Sequence, residues 1–239
     1  SRRPDAAAIL ATKHGAPTFE DLDALFDACE AVAFAVPPDV QPALALRAAR
    51  KGKALLLEKP IADSEANASA FAEAIRAPGV PTMLMLSYRF APHVREFVAK
   101  VEGTEIWGAR GGFVSGGFLP GSPSAFGWRL ERGALLDVGP HGIDLAWAAL
   151  GPVRNVRAAG DLQKLVALTL EHESGALSQL QFCARVPVEP PVVGLQVFGP
   201  HGAFAVDAMA AEWGQVFANI RAEFAAAVRS GRSHALDIE

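Results

Sequence analysis

The stretch Ala54-Leu55-Leu56-Leu57-Glu58-Lys59-Pro60 is a short apolar run that ends abruptly in an acid, a base and a proline. An apolar run of this length between turn-forming residues predicts a β-strand that is buried on both faces. Helical patterns precede and follow it, at Val40–Arg50 and Ser64–Arg76. Strands that alternate with such helices predict βαβ units and a parallel sheet. Lys59 then lies beyond the carboxyl end of a parallel strand, where open α/β sheets bind their ligands.

The alternation of strand and helix covers the first part of the chain, and then the pattern changes. Further strands are predicted at Ala31–Val36 and Thr82–Leu86, with helices at Pro4–His14 and Pro92–Val101. Beyond residue 103, strand-like segments follow one another across turns, which predicts a largely antiparallel sheet with interleaved helices. We therefore predict an α/β unit over residues 1–90 and an α+β unit over residues 91–239. The later strands are Thr104–Val114, Val153–Ala159, Leu165–Glu171, Ala176–Ala184, Val192–Phe198 and Ala203–Val206, and the later helices are Ala134–Leu150 and Glu212–Arg229.

Composition limits the class of protein. With 239 residues, of which 51% are hydrophobic and 20% charged, the chain is long and apolar enough to bury a core. A net charge of -4 and the lack of a basic cluster argue against a nucleic-acid or membrane-surface partner. No segment reaches the ~18 uninterrupted apolar residues of a membrane span. Cys29 and Cys183 have neither metal-ligand spacing nor a disulfide framework, so we expect a cytoplasmic protein without a metal site.

A second motif, Asp137-Val138-Gly139-Pro140-His141, places a carboxylate and an imidazole four residues apart. On one helix both side chains would project from the same face. Proline fits only the first helical turn, however, so the helix is expected to start close to Gly139 with Asp137 just outside it. Together with Lys59 these residues are the parts of a proton-transfer site. Singly, they have ordinary interpretations: a solvated lysine, a helix-start aspartate and a structural histidine.

Further motifs accompany these two in a fixed order along the chain. They are Ser1-Arg2-Arg3, Val36-Pro37-Pro38, Gly52-Lys53 before Glu58-Lys59-Pro60, Tyr88-Arg89-Phe90 with Pro92, Trp128-Arg129, and Gly133 to His141 with Asp144. In series, these motifs make the chain resemble the glucose–fructose oxidoreductase / inositol dehydrogenase (Gfo/Idh/MocA) family of NAD(P)-dependent oxidoreductases, over nearly its whole length.

The resemblance implies a function and an architecture. The activity would be hydride transfer between nicotinamide and a hydroxyl-bearing carbon of a sugar, cyclitol or related polyol. Residues 1–90 would form a Rossmann-like dinucleotide-binding domain, incomplete at its N-terminus. Residues 91–239 would bind substrate and form a homodimer or homotetramer through the antiparallel sheet. A catalytically silent binding or regulatory relative of the same fold is the alternative, and the sequence does not separate oxidation from reduction.

The resemblance also implies roles for individual residues. His141 would be the catalytic base, Lys59 would polarise the reacting oxygen, and Asp137 would orient the imidazole or bond a substrate hydroxyl. A cis Lys59–Pro60 bond is implied as well. Trp147, in the apolar helix after His141, is predicted to lie in the core. The cofactor-binding residues would be Ser1, Arg2, Arg3, Val36, Pro37, Pro38, Glu58, Lys59 and Pro60, and the substrate-side residues Tyr88, Arg89, Trp128 and Arg129.

The start of the sequence bears on the cofactor. Arginines after the second strand of such a domain accommodate a 2′-phosphate, so Ser1-Arg2-Arg3 favours NADP over NAD, although Arg2 can stack on adenine in either case. The alternative is a charged loop without this role. The strand, the Gly-x-Gly-x-x-Gly turn, the helix and the second strand with which family members begin are missing from these residues. We therefore expect either part of a longer protein or a truncated family member.

Overall fold

The computed structural model describes residues 3–238, so the predicted cofactor contacts of Ser1 and Arg2 lie outside the described residues. The first sheet is parallel, with three strands in the order β1 (Ala31–Ala33), β2 (Ala54–Leu57) and β3 (Thr82–Leu84). Leu55 and Leu57 in the central strand β2 are fully buried, as expected for a strand covered on both faces. The outer strands end earlier than their apolar runs predict, because burial alone does not require strand pairing.

Four helices precede or connect these strands: α1 (Pro4–His14), α2 (Leu22–Asp27), α3 (Gln41–Arg50) and α4 (Glu65–Arg76). α3 packs on β2 and against α4. The buried side chains Ala45, Ala48 and Ala49 are small, which lets α3 lie close to the sheet. Ser64 caps α4 by accepting a hydrogen bond from the amide of Asn67 at 3.3 Å.

The second sheet has six strands: β4 (Gly108–Val114), β5 (Val153–Gly160), β6 (Val166–His172), β7 (Leu177–Cys183), β8 (Val192–Gly199) and β9 (Gly202–Asp207). Their order across the sheet is β5-β6-β7-β4-β8-β9. All neighbours run antiparallel except β4 and β7, which run parallel. The sheet is therefore mixed but mostly antiparallel, and the predicted fold class is confirmed.

The second sheet is covered on one face. The later helices are α5 (Pro92–Val101), α6 (Trp128–Asp137), α7 (Gly139–Leu150) and α8 (Trp213–Ser230). α7 packs on β4, β7 and β8, α6 packs on β7, and α5 packs on β9. In β6 the buried Val166, Leu168 and Leu170 alternate with the more exposed Ala167 and Thr169. This alternation shows that the helices cover one face and leave the other open.

The predicted helix Ala134–Leu150 differs from the structure in two ways. It is two helices, α6 and α7, and α6 begins at Trp128 and is kinked at Gly133, where φ is 78°. Pro140 lies in the first turn of α7, so Asp137 falls just outside that helix, as predicted. The prediction that Trp147 belongs to the core is wrong, because 50% of this residue is exposed and α7 buries its other side.

The last described residues return to the first sheet. The amide of His234 donates to the carbonyl of Thr82 at 2.9 Å, and the amide of Leu84 donates to the carbonyl of Leu236 at 2.7 Å. These residues cover the free edge of β3, although they belong to the predicted second domain. The domain boundary after residue 90 stays a prediction.

Candidate active site

Lys59 and Asp137 meet between the two sheets. β2 ends at Leu57, and Lys59 is the second residue of the loop that follows it. Asp137 is the last residue of α6. The ammonium Nζ of Lys59 donates to the backbone carbonyl of Asp137 at 2.6 Å and to its carboxylate Oδ1 at 2.9 Å. The two side chains are only 12% and 8% exposed. Arg129 donates through Nε to the other carboxylate oxygen, Oδ2, at 3.1 Å.

This arrangement joins two cations to one carboxylate, so the three groups carry a net positive charge. Asp137 accepts two of the three N–H donors of Lys59, which leaves one donor for a further acceptor. In a largely buried place such a charge interacts strongly with any oxygen that becomes negative, because little water screens it. The cluster of Lys59, Asp137 and Arg129 is therefore suited to bind an oxygen that develops negative charge.

His141 stands on α7, one turn beyond Asp137. Its Nδ1 is buried and has no hydrogen-bond partner. Burial, and then the nearby Lys59 charge, lower the pKa of His141 to about 3, against the opposing effect of Asp137. The imidazole is therefore neutral at pH 7 and able to accept a proton. The hydrogen bonds of the Asp137 carboxylate go to Lys59 and Arg129 and not to this imidazole.

Gln41 fixes the loop that carries Lys59, and sequence reasoning missed it. This fully buried side chain accepts from the amide of Glu58 at 2.8 Å and donates to the carbonyls of Glu58 and Ile61 at 2.8 and 3.3 Å. The signal in the sequence is a glutamine on the same face of α3 as the buried Ala45.

The Glu58-Lys59-Pro60 turn has two further features. The Lys59–Pro60 peptide bond is cis, as the resemblance implies. The carboxylate of Glu58 accepts from the amide of Lys59 at 3.2 Å. Burial raises the pKa of Glu58, although the charge of Lys59 opposes this shift.

Tyr88 borders the imidazole of His141. The two rings meet edge to face with their centroids 5.0 Å apart. The Tyr88 hydroxyl points to the sulfur of Met209, at 3.7 Å. Burial raises the pKa of Tyr88 to about 12, so the phenol stays neutral at physiological pH. Of the residues predicted on the substrate side, Tyr88 is thus the direct neighbour of His141.

Arg89, also predicted on the substrate side, forms an ion pair instead. Its Nη1 lies 2.8 Å from Oδ1 of Asp144, on α7. Burial raises the pKa of Asp144 to about 6, while Arg89 holds it down. A contact between Arg89 and substrate would have to compete with this pair.

Trp128 and Arg129 lie where α6 begins, and Trp128 lines a cavity of about 490 Å³. The guanidinium of Arg129 lies 5.0 Å from the ring of Trp128 and 4.9 Å from the ring of Phe126. Pro37 and Pro38, which follow β1, line the same cavity as Trp128. The structure therefore joins two of the predicted cofactor residues to a residue predicted on the substrate side.

A second cavity, of about 580 Å³, lies on the other side of α6, against the second sheet. Asp137 lines this cavity, whereas its neighbour Leu136 lines the first one. The two cavities therefore lie next to each other at the end of α6. The remaining side chains around the second cavity come mainly from residues 113–124 and 184–191.

The other predicted cofactor residues take ordinary positions. Val36 packs against the core of the first sheet. Arg3 pairs with Asp5 at 3.0 Å at the exposed start of α1.

Across residues 3–238, no three His, Cys, Asp or Glu side chains are grouped to hold a metal ion. Within the same range, no helix is both long and apolar enough to cross a membrane.

Comparison with known proteins finds two matching family models. Residues 1–85 match the oxidoreductase family GFO_IDH_MocA with an NAD-binding Rossmann fold, and residues 93–205 match the GFO/IDH/MocA C-terminal domain. Levoglucosan dehydrogenase of Pseudarthrobacter phenanthrenivorans is 28% identical over 136 residues, covering 53% of this chain and 34% of that protein. D-apiose dehydrogenase of Paraburkholderia graminis is 31% identical over 142 residues, covering 55% of this chain and 37% of that protein. The matched stretch is thus little more than a third of these relatives.

Solved structures share the fold. The apo form of levoglucosan dehydrogenase superposes with a TM-score of 0.86 at 18% identity, covering 100% of this chain and 82% of that one. GenD2 from gentamicin A biosynthesis, in complex with NAD, gives a TM-score of 0.84 at 21% identity, covering 99% and 80%. A probable dehydrogenase from Thermotoga maritima gives 0.86 at 19% identity, covering 100% and 83%. At these identities the likeness establishes the architecture alone.

Proposed function

Because the chain belongs to the Gfo/Idh/MocA family of oxidoreductases, we propose that it transfers a hydride between a nicotinamide cofactor and a hydroxyl-bearing carbon of a sugar, cyclitol or related polyol. One observation carries this proposal. Lys59 and Asp137, 78 residues apart in sequence, are hydrogen-bonded in a largely buried place beside the neutral His141. An ammonium and a proton acceptor at one site are the groups that alcohol oxidation requires of the protein.

The residues around the first cavity fit the nicotinamide end of the cofactor. Pro37 and Pro38 follow β1, and Lys59 follows β2, so they lie at the carboxyl ends of neighbouring parallel strands. We propose that Pro37, Pro38 and Trp128 hold the nicotinamide and its ribose. When bound, the nicotinamide supplies the acceptor for the substrate hydride, or the donor in the reverse reaction.

Lys59 would act on the substrate oxygen. Its unused N–H donor can bond the reacting hydroxyl, and its charge stabilises the oxygen as the proton leaves. Asp137 holds the ammonium by two hydrogen bonds, and Arg129 fixes the second oxygen of that carboxylate. We assign Arg129 to this positioning role and not to direct binding of substrate.

His141 would handle the hydroxyl proton. In the oxidation direction its neutral imidazole accepts that proton from the hydroxyl oxygen, as the hydride leaves the carbon that bears this hydroxyl. In the reduction direction the protonated imidazole returns the proton to the oxygen. The low pKa favours release of the proton to solvent after each oxidation, because the charged imidazole is poorly solvated.

Cofactor binding and turnover test the proposal together. The full-length protein is titrated with NADPH and with NADH by fluorescence, and then assayed with each oxidised cofactor on levoglucosan, D-apiose, L-sorbose and myo-inositol. We propose NADP as the preferred cofactor because of Ser1-Arg2-Arg3, although the similar solved structures of GenD2 and levoglucosan dehydrogenase contain NAD and NADH. We expect binding of at least one cofactor and its reduction by at least one polyol.

A pair of histidine variants makes the assay specific. His141→Ala should lower turnover by ~10²–10⁴-fold, because the proton acceptor is lost. His14→Ala changes an exposed residue near the end of α1 and should leave turnover unchanged. If neither NADPH nor NADH binds, the oxidoreductase proposal is wrong and the silent relative is favoured.

We also propose that a second copy of the chain covers the open face of the second sheet. This face displays Arg110, Gln179 and Gln181, with the exposed Val192 at the start of β8. A broad sheet face with few charges is suited to pair with the same face of another subunit. A homodimer or homotetramer would follow.

A further inference from the structure

The second cavity, beside Asp137, has charged side chains of one sign. Asp137 lines it from the end of α6, and Glu189 lines it from the segment between β7 and β8. Every lining residue is in the described part of the chain, and none of them is lysine, arginine or histidine. The uncharged polar side chains of the cavity are hydroxyls, those of Ser115, Ser122 and Ser124. Such a lining suits the hydroxyls of a polyol better than a phosphate or carboxylate, which bind to arginine or lysine.

The nearby cations are committed elsewhere. Lys59 and Arg129 both bind the carboxylate of Asp137, at the catalytic end of the cavity. Arg185, close to the lining in sequence, donates instead to the side chain of Gln163 at 3.0 Å, outside the cavity. The positive charge of the site is therefore concentrated at the reacting oxygen.

Glu189 itself is free to bind. The residue is exposed, and within residues 3–238 its carboxylate has no hydrogen bond or ion pair. A second acid, Asp207, is exposed two residues before the cavity residue Met209. Because Glu189 is unpaired, its carboxylate is open to a group that enters the cavity, although the surrounding water screens its charge.

We propose that Glu189 selects the substrate by charge: it disfavours sugar phosphates and sugar acids and favours a sugar that carries an amino group. The proposal rests on the function proposed above, since it concerns the substrate of that site. An anionic substituent near Glu189 meets like-charge repulsion and finds no cation to bind. An ammonium substituent forms a charge-assisted hydrogen bond with the carboxylate.

The charge arrangement also orients the substrate. Lys59 and Arg129, which lie outside the cavity lining, bind Asp137, so these three groups together carry a net positive charge at that end, while Glu189 makes another part of the lining negative. A substrate with an amino group therefore places that group toward Glu189 and a hydroxyl toward Lys59. Exposed ion pairs contribute little, so the preference expected from Glu189 is about two- to fivefold.

Matched sugars test this preference directly. The probes are D-glucose, D-glucosamine, D-glucose 6-phosphate and D-glucuronate, which differ at one substituent. Their binding to the full-length protein with saturating NADH is measured by calorimetry, for the wild type, Glu189→Gln and Glu189→Lys. Glu173→Gln is the control, since Glu173 is exposed in the turn between β6 and β7 and lies outside the cavity lining.

Wild type and Glu173→Gln should bind D-glucosamine about two- to fivefold more tightly than D-glucose, and the two anions more weakly than D-glucose. Glu189→Gln should remove the preference for D-glucosamine, and Glu189→Lys should reverse it in favour of the anions. Three results would each overturn the proposal. The wild type could bind the anions as tightly as D-glucose or more tightly, or the ratios of the dissociation constants could be the same in the wild type and the Glu189 variants. The third result is that neither D-glucose nor D-glucosamine binds. If the sugars bind with the expected charge preference but no hydride transfer is detected, the role of Glu189 is supported and the proposed function is refuted.

Discussion

At the scale of single residues, the carboxylate of Asp137 determines the charge of the site. It accepts hydrogen bonds from Lys59 and Arg129 and is almost fully buried. A buried carboxylate with two cationic partners holds both in place, and removing it would leave two uncompensated positive charges. His141 then depends on its surroundings and not on Asp137 for its neutral state, because burial is the main cause of its low pKa.

The low pKa of His141 predicts how stability depends on pH. The folded pKa of about 3 lies below the ordinary value of 6.5, so the unfolded chain binds the proton more readily. The stability that this effect provides is complete above pH 6.5 and is lost as the pH falls toward 3. Between pH 7.5 and 5 we expect the wild type to lose about 2 kcal/mol more unfolding free energy than His141→Gln.

Urea unfolding of the cofactor-free protein at both pH values measures this difference. Asp144, whose folded pKa is raised to about 6, shifts stability in the opposite direction over the same range. It is present in both proteins, so its effect cancels in the comparison. His14→Gln should follow the wild type. Equal pH dependence of His141→Gln and the wild type would contradict the buried, neutral state of His141.

At the scale of elements, α3 positions the catalytic loop. Gln41 makes all its hydrogen bonds to the backbone of residues 58–61, which continue from β2. Gln41→Ala leaves the buried amide of Glu58 without its partner, and we expect a loss of about 2 kcal/mol of unfolding free energy. Turnover should fall as well, since Lys59 is no longer held. Gln215→Ala on α8 changes an exposed glutamine and should stay within about 0.5 kcal/mol; equal losses in both variants would refute the specific role of Gln41.

The kink in α6 depends on Gly133. Its φ of 78° is unfavourable for other residues, and an added Cβ would lie 2.0 Å from the carbonyl oxygen of Leu162. We expect Gly133→Ala to lower the unfolding free energy by more than about 2 kcal/mol, measured by urea unfolding. Gly214→Ala, in α8 with open space around it, should instead raise stability by up to about 1 kcal/mol. An unchanged unfolding free energy for Gly133→Ala would contradict this prediction and show that the backbone at the kink can adopt another conformation.

At the scale of the whole molecule, the two sheets have different surroundings. The parallel sheet is covered by helices, and residues 233–238 cover one of its edges. The larger sheet has one open face, which the proposed assembly would bury. The helices α6 and α7 connect the two parts and carry Arg129, Asp137 and His141. The candidate site is therefore built where the halves of the molecule meet.

The open face predicts the result of a mass measurement. Light scattering coupled to size-exclusion chromatography of the 239-residue chain should give a molar mass that is a multiple of 25.1 kDa. Val192→Asp puts a charge on the proposed interface, at the exposed start of β8, and should shift the protein to monomer. Phe217→Asp, at an exposed position of α8, should keep the assembly. A monomeric wild type would refute the proposed pairing.

The sequence by itself predicted the order of elements and pointed to Lys59, Asp137 and His141 as candidate catalytic residues, whose roles stay a prediction. The apolar run of β2, the strand-and-helix alternation and the turn at Pro140 are local patterns, because burial and backbone geometry impose a period on neighbouring residues. Only the tertiary structure decided that Asp137 bonds Lys59 and Arg129 and not His141, that Gln41 holds the loop after β2, and that Trp147 is exposed. These facts depend on the path of the chain between distant residues, and no local period records that path.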